Sequence, residues 1–246
     1  MNETIPLKEG WADNGGLQLH YIQSNLPEPQ GLPLVFIPGA LGAADDYIME
    51  FPQLAPRPCL ALSLRGQGQS SAPDTGYTFA HYMSDIEAVL DQSGLRRFCL
   101  MGYSMAAPMV IEYTARHPDR AVGLIIGDYP ARYPRLPDDW PQRAQMAFGG
   151  RVADHVPAAM QQDSAEVDLW PRLADIACPV LVLYGSQPGA LLRAADVARY
   201  RASLARPQIV EFPDSDHQLW QPDYDKFIET IQAYLAQLDL AQLLNV

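Results

Sequence analysis

A serine enclosed by small residues is the part of this chain best suited to chemistry. The segment Gly102–Ala106 reads Gly-Tyr-Ser-Met-Ala, between the apolar run Phe98–Met101 and the helix-like segment Ala107–His117. A strand, a tight turn carrying a serine and a helix are together typical of a nucleophile elbow, and the alanine replaces the glycine that usually ends the motif. Small residues are needed because larger ones would collide with the strand or the helix. We predict that Ser104 is a nucleophile near the positive end of a helix.

A serine hydroxyl is a weak nucleophile at neutral pH and needs a neighbouring base. Of the five histidines in the chain, His217 is the best candidate, because it follows a turn-rich loop that leaves the strand-like run Gln208–Phe212. That position is at the carboxyl edge of a sheet, where open α/β sheets bind ligands. An imidazole can take the serine proton and return it near pH 7.

Apolar runs that alternate with helical segments must position these two residues. Such a pattern predicts a mostly parallel sheet with helices on both faces. The first run, Leu17–Ile22, alternates and is expected to be an antiparallel strand of a hairpin at the sheet edge. Thr78 is a plausible cap for the helix that follows the third run. The other expected strands are Leu34–Ile37, Cys59–Leu64, Phe98–Met101, Val122–Ile126, Val180–Tyr184 and Gln208–Phe212, and the other expected helices are Tyr77–Leu90 and Tyr224–Leu240.

The alternation of apolar runs and helical segments stops in residues 130–171, which contain six prolines and no strand-like run. Short helix-like pieces there predict a small helical cap inserted over the sheet. The core would then comprise residues 1–129 and 172–246. Arg65, in the loop after the Cys59–Leu64 run, is expected to anchor that loop through hydrogen bonds or an ion pair.

Composition excludes several classes of function. A formal net charge of −12 disfavours nucleic acid and anionic membranes as partners, since both would repel the surface. The three cysteines are widely spaced, which favours buried thiols in a reducing compartment over a disulfide framework or a metal site. The start, Met1–Thr4, is not typical of a signal peptide, and no apolar run is long enough to span a membrane. We expect a cytoplasmic enzyme whose partner is a small-molecule substrate; the sequence does not indicate an oligomeric state.

Four motifs occur in an order that resembles the α/β-hydrolase fold family, over essentially the whole chain. In the family's strand numbering, they are Phe36–Gly42 after the third strand, Leu64–Ser70 after the fourth, the elbow Gly102–Ala106, and Asp216–His217 after the last strand. The resemblance implies an α/β fold: a mostly parallel twisted sheet with helices on both faces and a small inserted helical cap.

Three positions depart from the family pattern. Pro38 stands where a histidine is usual, Gln67 replaces another histidine, and Pro188 occupies the usual place of the catalytic acid. Asp128, at the end of the sixth strand, is therefore the candidate acid, because some members of the family draw theirs from that position. Asp196 lies too far along a helix. A serine–histidine dyad without a strong acid stays open.

The same resemblance implies an oxyanion hole built from backbone amides. The donors would be the amides of Met105, which follows the nucleophile, and of Ala40, in the Pro-Gly-Ala turn. The side chains of Trp140, Phe148, Trp220 and Met105 are candidates for lining the substrate pocket.

These residues predict a serine hydrolase that cleaves a small, mainly apolar ester, thioester or lactone. Two alternatives stay open: a lyase, C–C hydrolase or cyclase that uses the same serine and histidine, and a non-catalytic ligand-binding protein. No cluster has the spacing of metal ligands, and Gly66-Gln67-Gly68 lacks the third glycine of a dinucleotide loop. We expect no cofactor and no metal.

Overall fold

The computed structural model describes residues 5–244 of the 246-residue chain. Residues 1–4, on which the signal-peptide expectation depends, lie outside the described part. Within that part the chain forms ten strands: β1 Leu7–Asn14, β2 Leu17–Ser24, β3 Leu34–Ile37, β4 Cys59–Leu62, β5 Phe98–Tyr103, β6 Ala121–Gly127, β7 Arg132–Tyr133, β8 Val167–Asp168, β9 Val180–Gly185 and β10 Pro207–Phe212.

The described helices separate these strands. They are α1 Glu50–Leu54, α2 Phe79–Gln92, α3 Ala107–Arg116, α4 Trp140–Phe148, α5 Val156–Asp163, α6 Ala194–Ser203 and α7 Tyr224–Leu244, with 3₁₀ turns at Ala44–Tyr47, Ser104–Ala106 and Trp170–Asp175. The hydroxyl of Thr78 caps α2 as predicted, accepting a hydrogen bond from the His81 amide. Of the helices described, none combines the length and the apolar character needed to cross a membrane.

Eight strands form one sheet in the order β1-β2-β4-β3-β5-β6-β9-β10, and all pairs from β4 to β10 are parallel. Strands β3, β4 and β6 are buried along their whole length, which explains their continuous apolar sequences. One core cluster joins the sheet to α2, α3 and α6, and a second joins it to α1 and α7. The α/β fold with helices on both faces is confirmed.

The strand register brings three strand ends to the same edge. Ile37 of β3 pairs with Gly102 of β5, and Tyr103 of β5 pairs with Gly127 of β6. Because parallel strands run in the same direction, the residues that follow these ends emerge side by side. This edge therefore gathers the loops that could hold a functional site.

The edge of the sheet is the predicted antiparallel hairpin, whereas one expectation about residues 130–171 was wrong. Strand β2 contains the run Leu17–Ile22 and pairs with the outermost strand β1 on one side and with β4 on the other. Strand β1 gave little signal because it is largely exposed and contains Lys8 and Glu9. In residues 130–171, where no strand was expected, β7 and β8 form a two-residue antiparallel pair. Pairs this short have no periodicity that a sequence pattern could reveal.

The loop after β4 is held by a buried ion pair with α2, as expected for Arg65. The guanidinium donates from Nε to Oδ2 of Asp85 over 2.8 Å and from Nη2 to Oδ1 over 2.6 Å. A third bond joins Nη1 to the Gly76 carbonyl, 2.8 Å away. Both side chains are buried, so each charge depends on the other for compensation.

This pair makes a testable prediction about stability. Asp85→Ala should lower the free energy of unfolding by about 3–5 kcal/mol, because it leaves the Arg65 guanidinium buried and uncompensated. Glu87→Ala, on the same helix, removes an exposed pair with Arg116 and should cost at most about 1 kcal/mol. Urea unfolding of both variants measures the difference. Equal losses would contradict the assignment.

Candidate active site

The serine turn has the strained geometry of an elbow. Ser104 has φ +56°, in the left-handed region that side chains other than glycine disfavour. A Cβ at Gly102 would lie 2.5 Å from Cγ2 of Val110 on α3, and one at Gly39 would lie 3.0 Å from the Ser104 Cβ. The small residues predicted from the sequence are therefore required by the close approach of β5 to α3 and by the adjacent β3 loop.

The structure brings Ser104 and His217 together from positions far apart in sequence. His217 Nε2 lies 2.9 Å from Ser104 Oγ. The imidazole is held by Tyr103, whose hydroxyl donates to the His217 carbonyl over 2.7 Å and whose ring stacks on the imidazole with centroids 4.7 Å apart. The histidine is therefore fixed through both its backbone and its ring.

Asp128 completes the arrangement from the end of β6. Its Oδ2 lies 2.7 Å from Nδ1 of His217, and its side chain is fully buried. The same oxygen accepts the Leu191 amide over 2.8 Å, while Oδ1 accepts the more distant amides of Gly185 and Leu192. A buried carboxylate needs such partners because it has lost its water. The loop that contains Pro188 thus supplies amides to the Asp128 carboxylate, although it contains no carboxylate of its own.

Backbone strain among the described residues collects at this edge. Leu41, Ser104 and Asp128 are the only described residues other than glycine with positive φ. They follow β3, β5 and β6, three adjacent strands. Strained conformations persist only where the surroundings enforce them, and they cluster at functional sites.

The predicted oxyanion donors belong to two segments, the turn that contains Ser104 and the loop after β3. Met105 belongs to the 3₁₀ turn that leads directly into α3, so its amide is at the positive end of that helix. Ala40 lies in a turn that is closed by a hydrogen bond from the Gly42 amide to the Gly39 carbonyl. Ala40 and Ser104 line the same cavity.

A cavity of about 720 Å³ opens at Ser104 and His217. Trp140, Phe148 and Trp220, the three aromatic residues predicted for a substrate pocket, all line it. The first two come from α4, in the segment predicted to be a cap. Met105 was also expected there, but its side chain packs in the core on the α2 and α3 face of the sheet.

Sequence reasoning missed several residues at the cavity. Tyr103 occupies the variable position of the serine motif, where any residue type would fit the pattern. Glu50 lines the cavity from α1 and gave no signal. Asp46 and Arg151 form an ion pair that joins the 3₁₀ turn before α1 to the chain after α4. Such long-range pairs cannot be inferred from one sequence.

Electrostatics keep the Tyr103 hydroxyl a hydrogen-bond donor. Burial raises the pKa of the phenol, and the nearby carboxylates of Asp128 and Asp216 raise it further. The phenol therefore keeps its proton near neutral pH. Within residues 5–244, no three His, Cys, Asp or Glu side chains are grouped as metal ligands would be.

Comparisons with known proteins agree with this geometry. A family model described as alpha/beta hydrolase fold matches residues 33–166. A putative non-heme haloperoxidase of Mycobacterium phage D29 is 32% identical over 100 residues, which are 40% of this chain and only 36% of that protein. The 2-(acetamidomethylene)succinate hydrolase of Mesorhizobium japonicum is 26% identical over 200 residues, with 64% of this chain and 71% of that protein covered.

A solved structure extends the likeness to most of the chain. An esterase from Exiguobacterium antarcticum superposes with a TM-score of 0.79 at 18% identity, covering 93% of this chain and all of that one. At this low sequence identity, the match shows only that the two proteins share a fold.

The elbow generates a prediction about packing. Gly102→Ala should lower the free energy of unfolding by about 1–3 kcal/mol, because the added methyl group overpacks against the Val110 side chain and, at 2.8 Å, against the Ala106 carbonyl oxygen. The double variant Gly102→Ala/Val110→Ala should lose less stability than the sum of the two single variants, since the second change makes room for the first. Urea unfolding of the three variants tests this. If the losses of the two single variants simply add in the double variant, the contact with Val110 is not the cause of the stability loss in Gly102→Ala.

Proposed function

The chain belongs to the α/β-hydrolase fold family and is an enzyme of that type, and we propose that it is a serine hydrolase. Its substrate is a small, mainly apolar carboxylic ester, thioester or lactone, which it cleaves through an acyl-enzyme. The observation that carries the proposal is the continuous chain of contacts from Ser104 Oγ through the imidazole of His217 to the Asp128 carboxylate. Serine, histidine and a carboxylate in this arrangement are the groups that acyl transfer needs.

In the first half of the reaction Ser104 Oγ attacks the substrate carbonyl carbon. Its proton passes to His217 Nε2, and the electron pair of the carbonyl moves to oxygen. When this tetrahedral species collapses, the bond to the alcohol or thiol breaks, and the leaving group takes the proton from Nε2. The 2.9 Å separation of Nε2 and Oγ supports this transfer, because it is within hydrogen-bond reach.

The second half releases the acyl group. A water molecule attacks the acyl carbon and gives a proton to Nε2, and Ser104 then leaves with that proton. In both halves the amides of Met105 and Ala40 stabilise the oxyanion. Donors of this kind are effective because they are already oriented when the charge develops.

Asp128 acts on the imidazole. By accepting a hydrogen bond from Nδ1–H it holds the tautomer in which Nε2 is free to act as a base, and it stabilises the imidazolium that forms. The position of Asp128 supports this role, because it supplies a buried carboxylate from a strand other than the one that precedes Pro188.

The cavity supports a small substrate with apolar parts. Its volume of about 720 Å³ lies in the range of small-molecule sites, and Trp140, Phe148 and Trp220 give it aromatic walls. The alternative of a lyase or cyclase was based on an altered or weakened acid. An acid 2.7 Å from the imidazole favours hydrolysis. A binding protein would have no need of this array.

The nucleophile can be tested directly. Ser104→Ala should reduce the hydrolysis of p-nitrophenyl esters on the order of 10⁶-fold, to background. It should also abolish the fluorophosphonate adduct that peptide mass spectrometry locates at residue 104. Ser186→Ala, an exposed serine at the same edge of the sheet, is the matched control and should keep both. A wild-type protein that neither reacts with the probe nor hydrolyses any ester would refute the proposal.

The acid has its own test. Asp128→Asn should lower kcat by about 10⁴, because an amide does not hold the productive imidazole tautomer. Asp196→Asn is the control: it removes a carboxylate that was expected to lie too far along a helix, and it should leave kcat within about twofold of the wild-type value. Thermal unfolding of both variants checks that the fold survives. Undiminished turnover in Asp128→Asn would remove Asp128 from the mechanism.

A further inference from the structure

The cavity at Ser104 reaches beyond the edge of the sheet. Phe36, Met101 and Phe227 line it, and all three belong to the core cluster between the sheet and helices α1 and α7. Trp140 and Phe148, on the other side of the opening, pack against the cluster on the opposite face. The cavity thus has one branch that extends into the layer of α1 and α7.

Glu50 is an acidic residue on the same side of the cavity as Phe36, Met101 and Phe227. It is the first residue of α1, and its Oε1 accepts a long hydrogen bond from the Tyr224 hydroxyl, 3.4 Å away. Its Oε2 is buried and has no hydrogen-bond partner among the described residues. None of the described lysines or arginines forms an ion pair with it. The neighbouring Tyr47 stacks on Phe36, with ring centroids 4.8 Å apart.

An unpartnered carboxyl oxygen in an apolar layer is a cost that packing does not explain. Leucine or methionine would fill the same space without losing hydration. The first turn of α1 does favour an acidic residue, but a solvent-facing side chain would serve that purpose equally well. A buried polar atom beside a substrate cavity is explained if the substrate supplies its partner.

The surroundings of Glu50 select the chemistry of that partner. Burial raises the pKa of this carboxyl, and Asp46 raises it further, while hydrogen bonds from its own amide and from Tyr224 oppose the shift. The net direction is upward, so the neutral acid forms more readily here than in water. An anionic group would meet the Asp216 carboxylate, which also lines the cavity, while the lining arginine, Arg151, is already paired with Asp46. A hydroxyl fits either protonation state, because it can donate to a carboxylate and accept from a carboxylic acid.

We infer that Glu50 is a specificity-determining residue whose carboxyl group binds a hydroxyl carried by the substrate, remote from the carbonyl that Ser104 attacks. This inference rests on the proposed hydrolase function and refines its substrate class: an ester with an apolar body and a hydroxylated end. The aromatic and aliphatic walls hold the body, and Glu50 holds the end.

Matched pairs of substrates test this. The ratio of kcat/KM is measured for p-nitrophenyl ω-hydroxyalkanoates over the plain alkanoates, from hexanoate to octanoate. The same ratio for ω-hydroxyalkyl acetates over alkyl acetates covers a hydroxyl on the alcohol side. In at least one series the wild type should prefer the hydroxylated ester by about tenfold or more, since a site that hydrogen-bonds a substrate hydroxyl rejects the analogue that lacks it.

Three variants assign the preference to Glu50. Glu50→Leu should bring the ratio close to one, and Glu50→Gln should keep most of it, because an amide still donates and accepts hydrogen bonds. Glu229→Leu makes the same change at an exposed position of α7 and should keep the wild-type ratio. Circular dichroism and thermal unfolding confirm that each variant is folded.

A binding measurement separates this inference from the proposed reaction. Calorimetry should show that ω-hydroxyhexanamide binds the wild type about tenfold more tightly than hexanamide, and that Glu50→Leu removes the difference. The inference would be overturned if the wild type showed no preference for the hydroxylated ligand in turnover or in binding. It would also be overturned if Glu50→Leu kept the wild-type ratio of kcat/KM for hydroxylated over plain esters. A preference confined to ω-aminohexanoate esters would also overturn it, in favour of a cation. Failure of the hydrolase proposal itself would show instead as a wild type without ester turnover or fluorophosphonate labelling.

Discussion

The hydrogen bond between the buried Asp128 carboxylate and the His217 imidazole is the interaction on which this edge of the sheet depends. It ties the end of β6 to the loop after β10, and the Leu191 amide ties the loop before α6 to the same carboxylate. A fully buried carboxylate is tolerable only when such donors surround it. Three segments that are remote in sequence are therefore organised around one side chain, and the imidazole is turned toward Ser104 as a result.

The loop around Pro188 shows which property of a loop matters beside a buried carboxylate. Pro188 offers neither a carboxylate nor an amide proton, yet the loop around it donates the amides of Gly185 and Leu191 to Asp128. The end of β6 thus supplies the carboxylate charge, and the segment at and after the end of β9 supplies the amides that solvate it. Because β6 and β9 are adjacent and parallel, their carboxyl ends lie close enough for this division.

The sequence predicted the elements whose pattern follows directly from burial. The continuous apolar runs of β3 and β6, the small residues around Ser104 and the turn before His217 each have a local cause. Strand β1 could not be predicted because an exposed edge strand needs no apolar face, and β7 and β8 are too short to show an alternating pattern of apolar residues. Tyr103 and Glu50 were missed for another reason: their roles depend on which distant segments pack beside them. The distances at the site likewise follow from strand register, which a single sequence does not specify.

The left-handed backbone at Ser104 limits which amino acids the elbow can hold. Threonine carries the same hydroxyl, but its second Cβ substituent makes a positive φ far more costly than it is for serine. Cysteine has no branch at that carbon and would fit with a sulfur in place of the oxygen. The fold therefore admits a thiol at this position and disfavours a secondary alcohol, so sterics restrict the side chains that position 104 can carry before reactivity is considered.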